Sequence, residues 1–396
     1  MSIKVNKTYE ILISIILIFN LGFFYIGNLP KLTLEVNIIV MVMLYILFAV
    51  KKIIQPSGKT LIYFFILTIF ISIEILRSNN LATNDEIFKM LPYTYVLMTI
   101  PFLDYIKRDS LSHFMKLLVI FDTAALTFRS LVWCMYNFFG MQLFSGIFDQ
   151  RGRDWSKGTT IRLSSTFLDG IVFAYLCYLL LTKNLSKKKK ITIFLLLLIQ
   201  FFYANYVYES RSQILCFLIS GLAIYLVRFS KSSNKIIWLI LGILASFMIY
   251  FSTFFQNMLM SFNINGSYGA STLVRFQGMA YFKDIFLEKT SNIFWGFGID
   301  QDTHIVPGMI GKIYISDIGS IGYLFEYGII GIIVSFYPFL MNIVDDIRKR
   351  NAFCMGVVVY ILLSSIMAQN IFDSVRIIGV PFALAIFWCG DEVEEK

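Results

Sequence analysis

Long runs of apolar residues recur along the whole chain, and short polar or charged segments separate them. Most of the runs hold about 17 to 25 mostly apolar residues, enough for a helix to cross roughly 30 Å of hydrocarbon. We place these runs at about 9–28, 34–50, 60–76, 90–106, 112–139, 165–182, 191–208, 213–229, 236–255, 321–341, 352–369 and 377–390. The pattern predicts an all-α, polytopic integral membrane protein with about 12 transmembrane helices.

The composition favours the same class. Of the 396 residues, 58% are hydrophobic and 15% are charged, whereas a soluble globular domain has about 25% charged residues. No repeat, linker or change of composition divides the chain, so we expect one polytopic domain over 1–396. All five cysteines lie within apolar runs and form no CxxC pair, which argues against a disulfide framework.

The net charge of +9 is typical of Lys- and Arg-rich cytoplasmic loops, so we expect no nucleic-acid partner. Placing the basic loops inside predicts a protein of the cytoplasmic (inner) membrane with both termini cytoplasmic. Two longer segments, about 141–164 and 256–320, then lie outside. The second is a large outer loop between spans 9 and 10, in which 271–288 has the pattern of an amphipathic helix on the membrane surface.

Ionisable residues in or beside the spans are the candidates for function, because such groups are expensive in hydrocarbon. Asp122 and Arg129 lie seven residues apart on one helix face, which fits an internal ion pair or a substrate contact. Arg211 opens a span at its outer end, where its guanidinium matches phosphate oxygens or extends to lipid headgroups. The further candidates for binding an anionic substrate are Arg151, Arg153 and Arg162 in the first outer loop and Arg376 before the last span. The alternative for the three arginines of the loop is that they belong to a solvated segment that faces the lipid headgroups.

The signatures of soluble enzymes are missing from the chain. There is no GxSxG, HExxH or Walker sequence, and His113 and His304 are the only histidines. A histidine-based metal site is therefore not expected, and neither is a cofactor. An enzyme of this kind would have to use carboxylates and arginines at the outer face of the membrane.

Three segments in 208–331 resemble the superfamily of Wzy polysaccharide polymerases and WaaL O-antigen ligases. The first is Glu-Ser-Arg-Ser at 209–212, which opens a span. The second is Thr-Leu-Val-Arg at 272–275, followed by the amphipathic pattern and by Gly-Phe-Gly-Ile at 296–299. The third is Asp-Ile-Gly at 317–319, which leads to Glu326 and to Gly-Ile-Ile-Gly at 328–331. Their order and spacing around a large outer loop are those of the family.

The resemblance implies a GT-C-like membrane glycosyltransferase. Such an enzyme joins repeat units carried on undecaprenyl diphosphate at the outer face of the cytoplasmic membrane, for O-antigen, capsule or exopolysaccharide. It needs no nucleotide, metal or cofactor. Its partners are the lipid-linked oligosaccharide, membrane lipid and a chain-length regulator protein. Arg211 and Arg275 are expected to bind the diphosphate, and Glu326, Gly328 and Gly331 match the motif of the third segment.

One position departs from the ligase pattern. Ligases have a histidine eleven residues before the first glycine of the Gly-x-x-Gly element, and here that residue is Asp317. This favours the polymerase branch, with an O-antigen ligase-type transferase as the alternative. It leaves Asp317 and His304 as candidate catalytic bases, and Asp317 also fits a helix N-cap. A lipid-linked oligosaccharide transporter or flippase is the alternative outside the enzymes.

Overall fold

The computed structural model describes most of the chain as helices. It describes 2–22, 29–51, 54, 58–78, 91–143, 161–229, 237, 240, 242, 251, 256, 269–298, 305–307, 312–349, 351–366, 371–372 and 376–389. Within these residues there are thirteen α-helices and one short β-hairpin. The all-α prediction is therefore confirmed.

The first eight helices precede the large loop. They are α1 (Ser2–Asn20), α2 (Leu29–Lys51), α3 (Gly58–Ser78), α4 (Thr99–Arg108), α5 (Leu111–Phe139), α6 (Asp169–Thr182), α7 (Lys187–Phe202) and α8 (Arg211–Phe229). A 3₁₀ helix, Leu91–Met98, leads into α4, and a π-helical turn, Tyr203–Val207, follows α7.

The remaining elements follow in chain order, and the first of them lie in the large loop predicted at 256–320. They are α9 (Gly269–Glu288), α10 (Thr290–Trp295), the antiparallel strands β1 (Ile305–Pro307) and β2 (Lys312–Tyr314), a 3₁₀ turn (Ile315–Ile318), α11 (Ser320–Lys349), α12 (Ala352–Ile366) and α13 (Gly379–Cys389).

Among the residues that the structure describes, six helical segments are long and apolar enough to cross a membrane. They are Leu32–Lys51, Thr60–Arg77, Leu111–Phe139, Lys187–Val207, Arg211–Phe229 and Ser320–Met341. Three shorter apolar helices, α6, α12 and α13, coincide with other predicted spans. Large apolar side chains are exposed on the long helices, for example Ile46 on α2 and Phe65 on α3, as expected where lipid replaces water. These features support a multi-pass membrane protein.

The contacts between residues group the chain into two interleaved compact units. Unit 1 comprises Met1–Pro56, Tyr95–Gly221 and Ile377–Lys396, and unit 2 comprises Ser57–Thr94 and Leu222–Arg376. The prediction of one domain over 1–396 stays a prediction.

An aromatic core joins α4, α5 and α13 within unit 1. The Phe382 ring lies 4.7 Å from that of Phe102 and stacks on Phe114 at 5.9 Å. At one side of this core, Asp104 accepts from the Tyr9 hydroxyl at 3.0 Å and pairs with Arg108 at 2.6 Å. This buried carboxylate thus has a cation beside it, the arrangement that makes a buried charge tolerable.

The helix predicted at 271–288 is present in unit 2 as α9, but its apolar residues are spread around the helix and are not confined to one face. Its Phe282 and Phe286 are buried against Ile315 and Ile318 of the 3₁₀ turn and against Phe325 of α11. Part of the apolar pattern therefore packs on protein. Phe276 and Leu287 remain exposed, and a membrane surface as their partner stays a prediction.

Candidate functional site

The segment 161–168 of unit 1 packs along the π-helical turn. The Leu163 amide donates to Val207 O at 3.0 Å, and the Tyr203 hydroxyl donates to Ser164 O at 2.6 Å. π-helical turns place one extra residue in a helix and are frequent at functional sites. The two bonds fix the backbone that carries the polar side chains described next.

Arg129 of α5 holds this segment from the other side. Its guanidinium donates to Ser164 O at 2.7 Å and to Leu21 O at 2.6 Å, and the residue is buried. Two backbone carbonyls are thus bound by one planar fork of donors. Asp122, its predicted partner, accepts hydrogen bonds from Thr166 and Gln200. The direct ion pair between Asp122 and Arg129 stays a prediction.

Two buried aspartates form the centre of a polar cluster between α5, α6, α7 and α8. Thr166 Oγ1 contacts one carboxylate oxygen each of Asp122 and Asp169. Gln200 Nε2 donates to Asp122 at 3.2 Å, and Gln213 Nε2 donates to Asp169 at 2.6 Å. All five residues are buried. Intramembrane carboxylates mark ion, proton or substrate sites more often than simple packing.

The Glu-Ser-Arg-Ser segment forms a sharp entry into α8. Glu209 has φ of 50°, a left-handed conformation that non-glycine residues rarely adopt, and its carboxylate pairs with Arg162 at 2.7 Å. The Ser210 hydroxyl caps the helix by accepting a hydrogen bond from the backbone amide of Gln213 at 3.3 Å. Arg211 is the first residue of α8 and is partly exposed. A cation beside the amide groups of a helix N-terminus is a favourable place for an anion.

Unit 2 brings the second and third segments of the resemblance into contact. The Phe297 amide donates to Phe325 O at 3.0 Å, and the Gly298 amide donates to Glu326 O at 2.9 Å. Both carbonyls lie just before Gly328, where α11 is broken with φ of 65° and ψ of −170°, so they can accept hydrogen bonds from outside the helix. Gly-Phe-Gly at 296–298 therefore pairs with the residues just before the break, which lies at the first glycine of Gly-Ile-Ile-Gly.

Glycine is required on both sides of this crossing. A Cβ on Gly296 would lie 2.0 Å from Glu326 O, and a Cβ on Gly328 would lie 2.3 Å from the Phe294 carbonyl carbon. Gly331, one turn on, leaves room for Tyr327, whose Cβ would be 2.3 Å from an added methyl group. Broken helices of this kind line binding sites in many membrane proteins.

Arg77 of α3 binds the same crossing. It donates to Trp295 O at 2.6 Å and to Gly296 O at 2.7 Å, and it pairs with Glu74 at 2.7 Å. The arginine thus ties the end of α10 to a membrane helix, since it satisfies carbonyls that α10 leaves open.

Other predicted site residues have varied surroundings. Arg275 is exposed on α9, Glu326 is partly buried in the first part of α11, and Arg376 is partly buried in the turn before α13. Asp317 lies in the 3₁₀ turn Ile315–Ile318, but its side chain is outside the described residues.

Arg151, Arg153 and His304 also lie outside the described residues. The sequence interpretation missed Thr166, Gln200, Gln213 and Arg77. The two glutamines carried a signal, because polar residues within apolar runs need partners. Arg77, at the end of a span, resembled an ordinary interfacial cation.

No protein-family model matches the chain, and no curated protein matches it either.

Proposed function

We propose that the chain is a Wzy-like polymerase that joins oligosaccharide repeat units carried on undecaprenyl diphosphate at the outer face of the cytoplasmic membrane. The observation that carries the proposal is the crossing of Gly296–Gly298 with the break at Gly328. The two segments that cross here are ones that resemble the family in sequence. Their backbones approach so closely that a side chain at Gly296 or at Gly328 would overlap the other segment.

The proposed reaction exchanges one bond for another. A hydroxyl oxygen of the acceptor unit attacks the anomeric carbon of the donor chain, and the bond from that carbon to the diphosphate breaks. The electron pair leaves with undecaprenyl diphosphate, and the hydroxyl proton passes to a base. Arg211 and Arg275 would each stabilise the charge that develops on the diphosphate, since fixed cations act strongly in a water-poor site.

The proposal is tested with purified protein in lipid nanodiscs, supplied with lipid-linked repeat units. A polymerase converts them into a ladder of longer glycans without nucleotide. A protein that leaves the repeat units at their original length under conditions where it is folded would contradict the proposal.

We expect Asp317→Asn to abolish polymerisation and His304→Ala to retain a measurable part of it. Asparagine caps a helix nearly as well as aspartate but cannot take a proton, so it separates the base from the cap. The measurement is ladder length in the nanodisc assay, with Tm as the control for folding. An active Asp317→Asn variant would assign this residue to capping and move the search to His304.

The proposed topology places both termini in the cytoplasm and 141–164 and 256–320 outside. Ser186 is an exposed residue just before α7, on the predicted inner side. In a cysteine-free background, an impermeant thiol reagent added to intact cells should label Ser267→Cys and not Ser186→Cys. Permeabilised cells provide the control, because both positions should then react. The reverse pattern in intact cells would contradict the topology.

A transporter of lipid-linked oligosaccharide is the second candidate function. The buried pair Asp122 and Asp169 favours it, because membrane-embedded carboxylates carry ions or protons in many transporters. In the nanodisc assay a transporter leaves glycan length unchanged. In sealed vesicles it moves the labelled lipid between leaflets.

A further inference from the structure

The hydroxyl of Thr166 has more acceptors around it than it can serve. It contacts a carboxylate oxygen of Asp122 and one of Asp169, and it accepts from the Leu168 amide at 3.3 Å. A hydroxyl donates a single proton. Only one of the two aspartates can receive it, so the other contact requires a proton on a carboxyl group or a cation nearby.

The two carboxyl groups face the same requirement between themselves. Asp122 and Asp169 both contact the Thr166 hydroxyl, which brings their carboxyl groups close together. Two ionised carboxylates repel each other in a buried site and only accept hydrogen bonds, so they also need a shared positive partner.

Two buried amide oxygens lie beside the pair. Gln200 and Gln213 are 2% and 1% exposed, and each uses its Nε2 to donate to an aspartate. Their Oε1 atoms find no hydrogen-bond donor in the described part of the chain. Buried acceptors without a donor are costly, and a positive ligand would satisfy them.

When both aspartates are ionised, the cluster lacks one positive charge. Asp122 and Asp169 together carry two negative charges when ionised, and Arg129 supplies one positive charge whose field acts on Asp169. In the described part of the chain, the printed hydrogen-bond partners of the pair are the hydroxyl and backbone amide of Thr166 and the side-chain amides of Gln200 and Gln213, which are neutral. A net negative charge buried among membrane helices is unfavourable, and one more positive charge neutralises it.

We propose that Asp122, Thr166, Asp169, Gln200 and Gln213 form a membrane-embedded site for one small monovalent cation, a proton or Na⁺. The bound cation supplies the positive partner that the two carboxylates around Thr166 need, neutralises the negative charge that Arg129 leaves unbalanced, and ties α5, α6, α7 and α8 together. The site lies wholly within unit 1. The cation site does not depend on the polymerase proposal, and its test uses thermal unfolding and infrared spectra, with no enzyme assay.

The first arm of the test measures thermal unfolding of the purified full chain in NaCl and in KCl at equal ionic strength. A site occupied by Na⁺ gives a Tm that rises with the logarithm of the NaCl concentration and does not rise in the same way in KCl, because a ligand bound only to the folded state stabilises it. The second arm records the infrared spectrum at neutral pH. A site occupied by a proton gives the carbonyl band of a protonated carboxylic acid and no difference between Na⁺ and K⁺.

The variants locate the signal. Asp122→Asn and Asp169→Asn should each abolish the Na⁺ response or the infrared band. Asp104→Asn is the matched control, because Asp104 is also a fully buried aspartate of unit 1 but is paired with Arg108. It should leave the signal intact. If an asparagine variant does not fold, Thr166→Val removes the shared hydroxyl at nearly constant volume and should weaken the Na⁺ response or shift the band.

Two results would overturn the proposal. One is wild-type protein that shows neither a Na⁺-specific rise in Tm nor a protonated-acid band. The other is a signal that persists in both aspartate variants or disappears in Asp104→Asn.

Discussion

Replacing Arg211 with alanine is expected to lower the rate of polymerisation by about 10² to 10³, the usual effect of removing one preorganised donor from a developing negative charge. Arg211 begins α8 and is partly exposed there. Lysine keeps the charge but loses the planar fork, so Arg211→Lys should recover only part of the rate. The same losses are expected for Arg275→Ala. The measurement is the initial rate of ladder formation in nanodiscs.

Two other cations serve as matched controls. Arg228 lies in the last turn of the same helix as Arg211 and is exposed. Lys283 is exposed on α9, two turns beyond Arg275. Their alanine variants should retain nearly the full rate. If Arg211→Ala and Arg275→Ala, at normal expression, also make full-length polymer, the diphosphate assignment is wrong.

Gly328→Ala is expected to destabilise the protein by about 3 kcal/mol or more, because backbone strain and overlap add. At Gly328 a φ of 65° and a ψ of −170° belong to a region that essentially only glycine adopts. The added methyl group would also lie 2.3 Å from the Phe294 carbonyl carbon. Gly296→Ala should behave alike, since its φ is 68° and its ψ is −179°. The measurement is Tm together with the yield of folded protein in detergent.

A substitution at Gly140 separates the cost of a left-handed backbone from the cost of an overlapping side chain. It ends α5 with φ of 65° and ψ of 14°, and a Cβ there would meet nothing within 4 Å. Gly140→Ala should therefore cost only about 1 to 2 kcal/mol for the left-handed backbone. A Gly328→Ala variant no less stable than Gly140→Ala would show that Gly296–Gly298 and Gly328 do not pack as described.

The sequence predicted helices well where hydrophobicity alone decides. The runs at 34–50, 60–76, 112–139 and 213–229 coincide with α2, α3, α5 and α8, because a membrane helix needs a continuous apolar stretch and little else. The helix at 271–288 was also predicted from its pattern and lies within α9.

The polar contacts were harder to predict, because they depend on residues far apart in the chain. Gln200 and Asp122 are separated by 78 positions, and Arg77 and Gly296 by 219. Periodicity describes one helix at a time and has no information about which helices become neighbours. The resemblance placed Gly296 and Gly328 in related motifs, but their direct contact follows only from three-dimensional packing.

The stoichiometry of the reaction tests the central claim most directly. Purified protein in nanodiscs is given lipid-linked repeat units, and glycosidic bonds formed and undecaprenyl diphosphate released are counted in the same samples over time. A polymerase releases one lipid diphosphate for each new bond, and Arg211→Ala slows both together. Lipid-linked units that stay intact in the presence of folded wild-type protein, with no diphosphate released, would contradict the account.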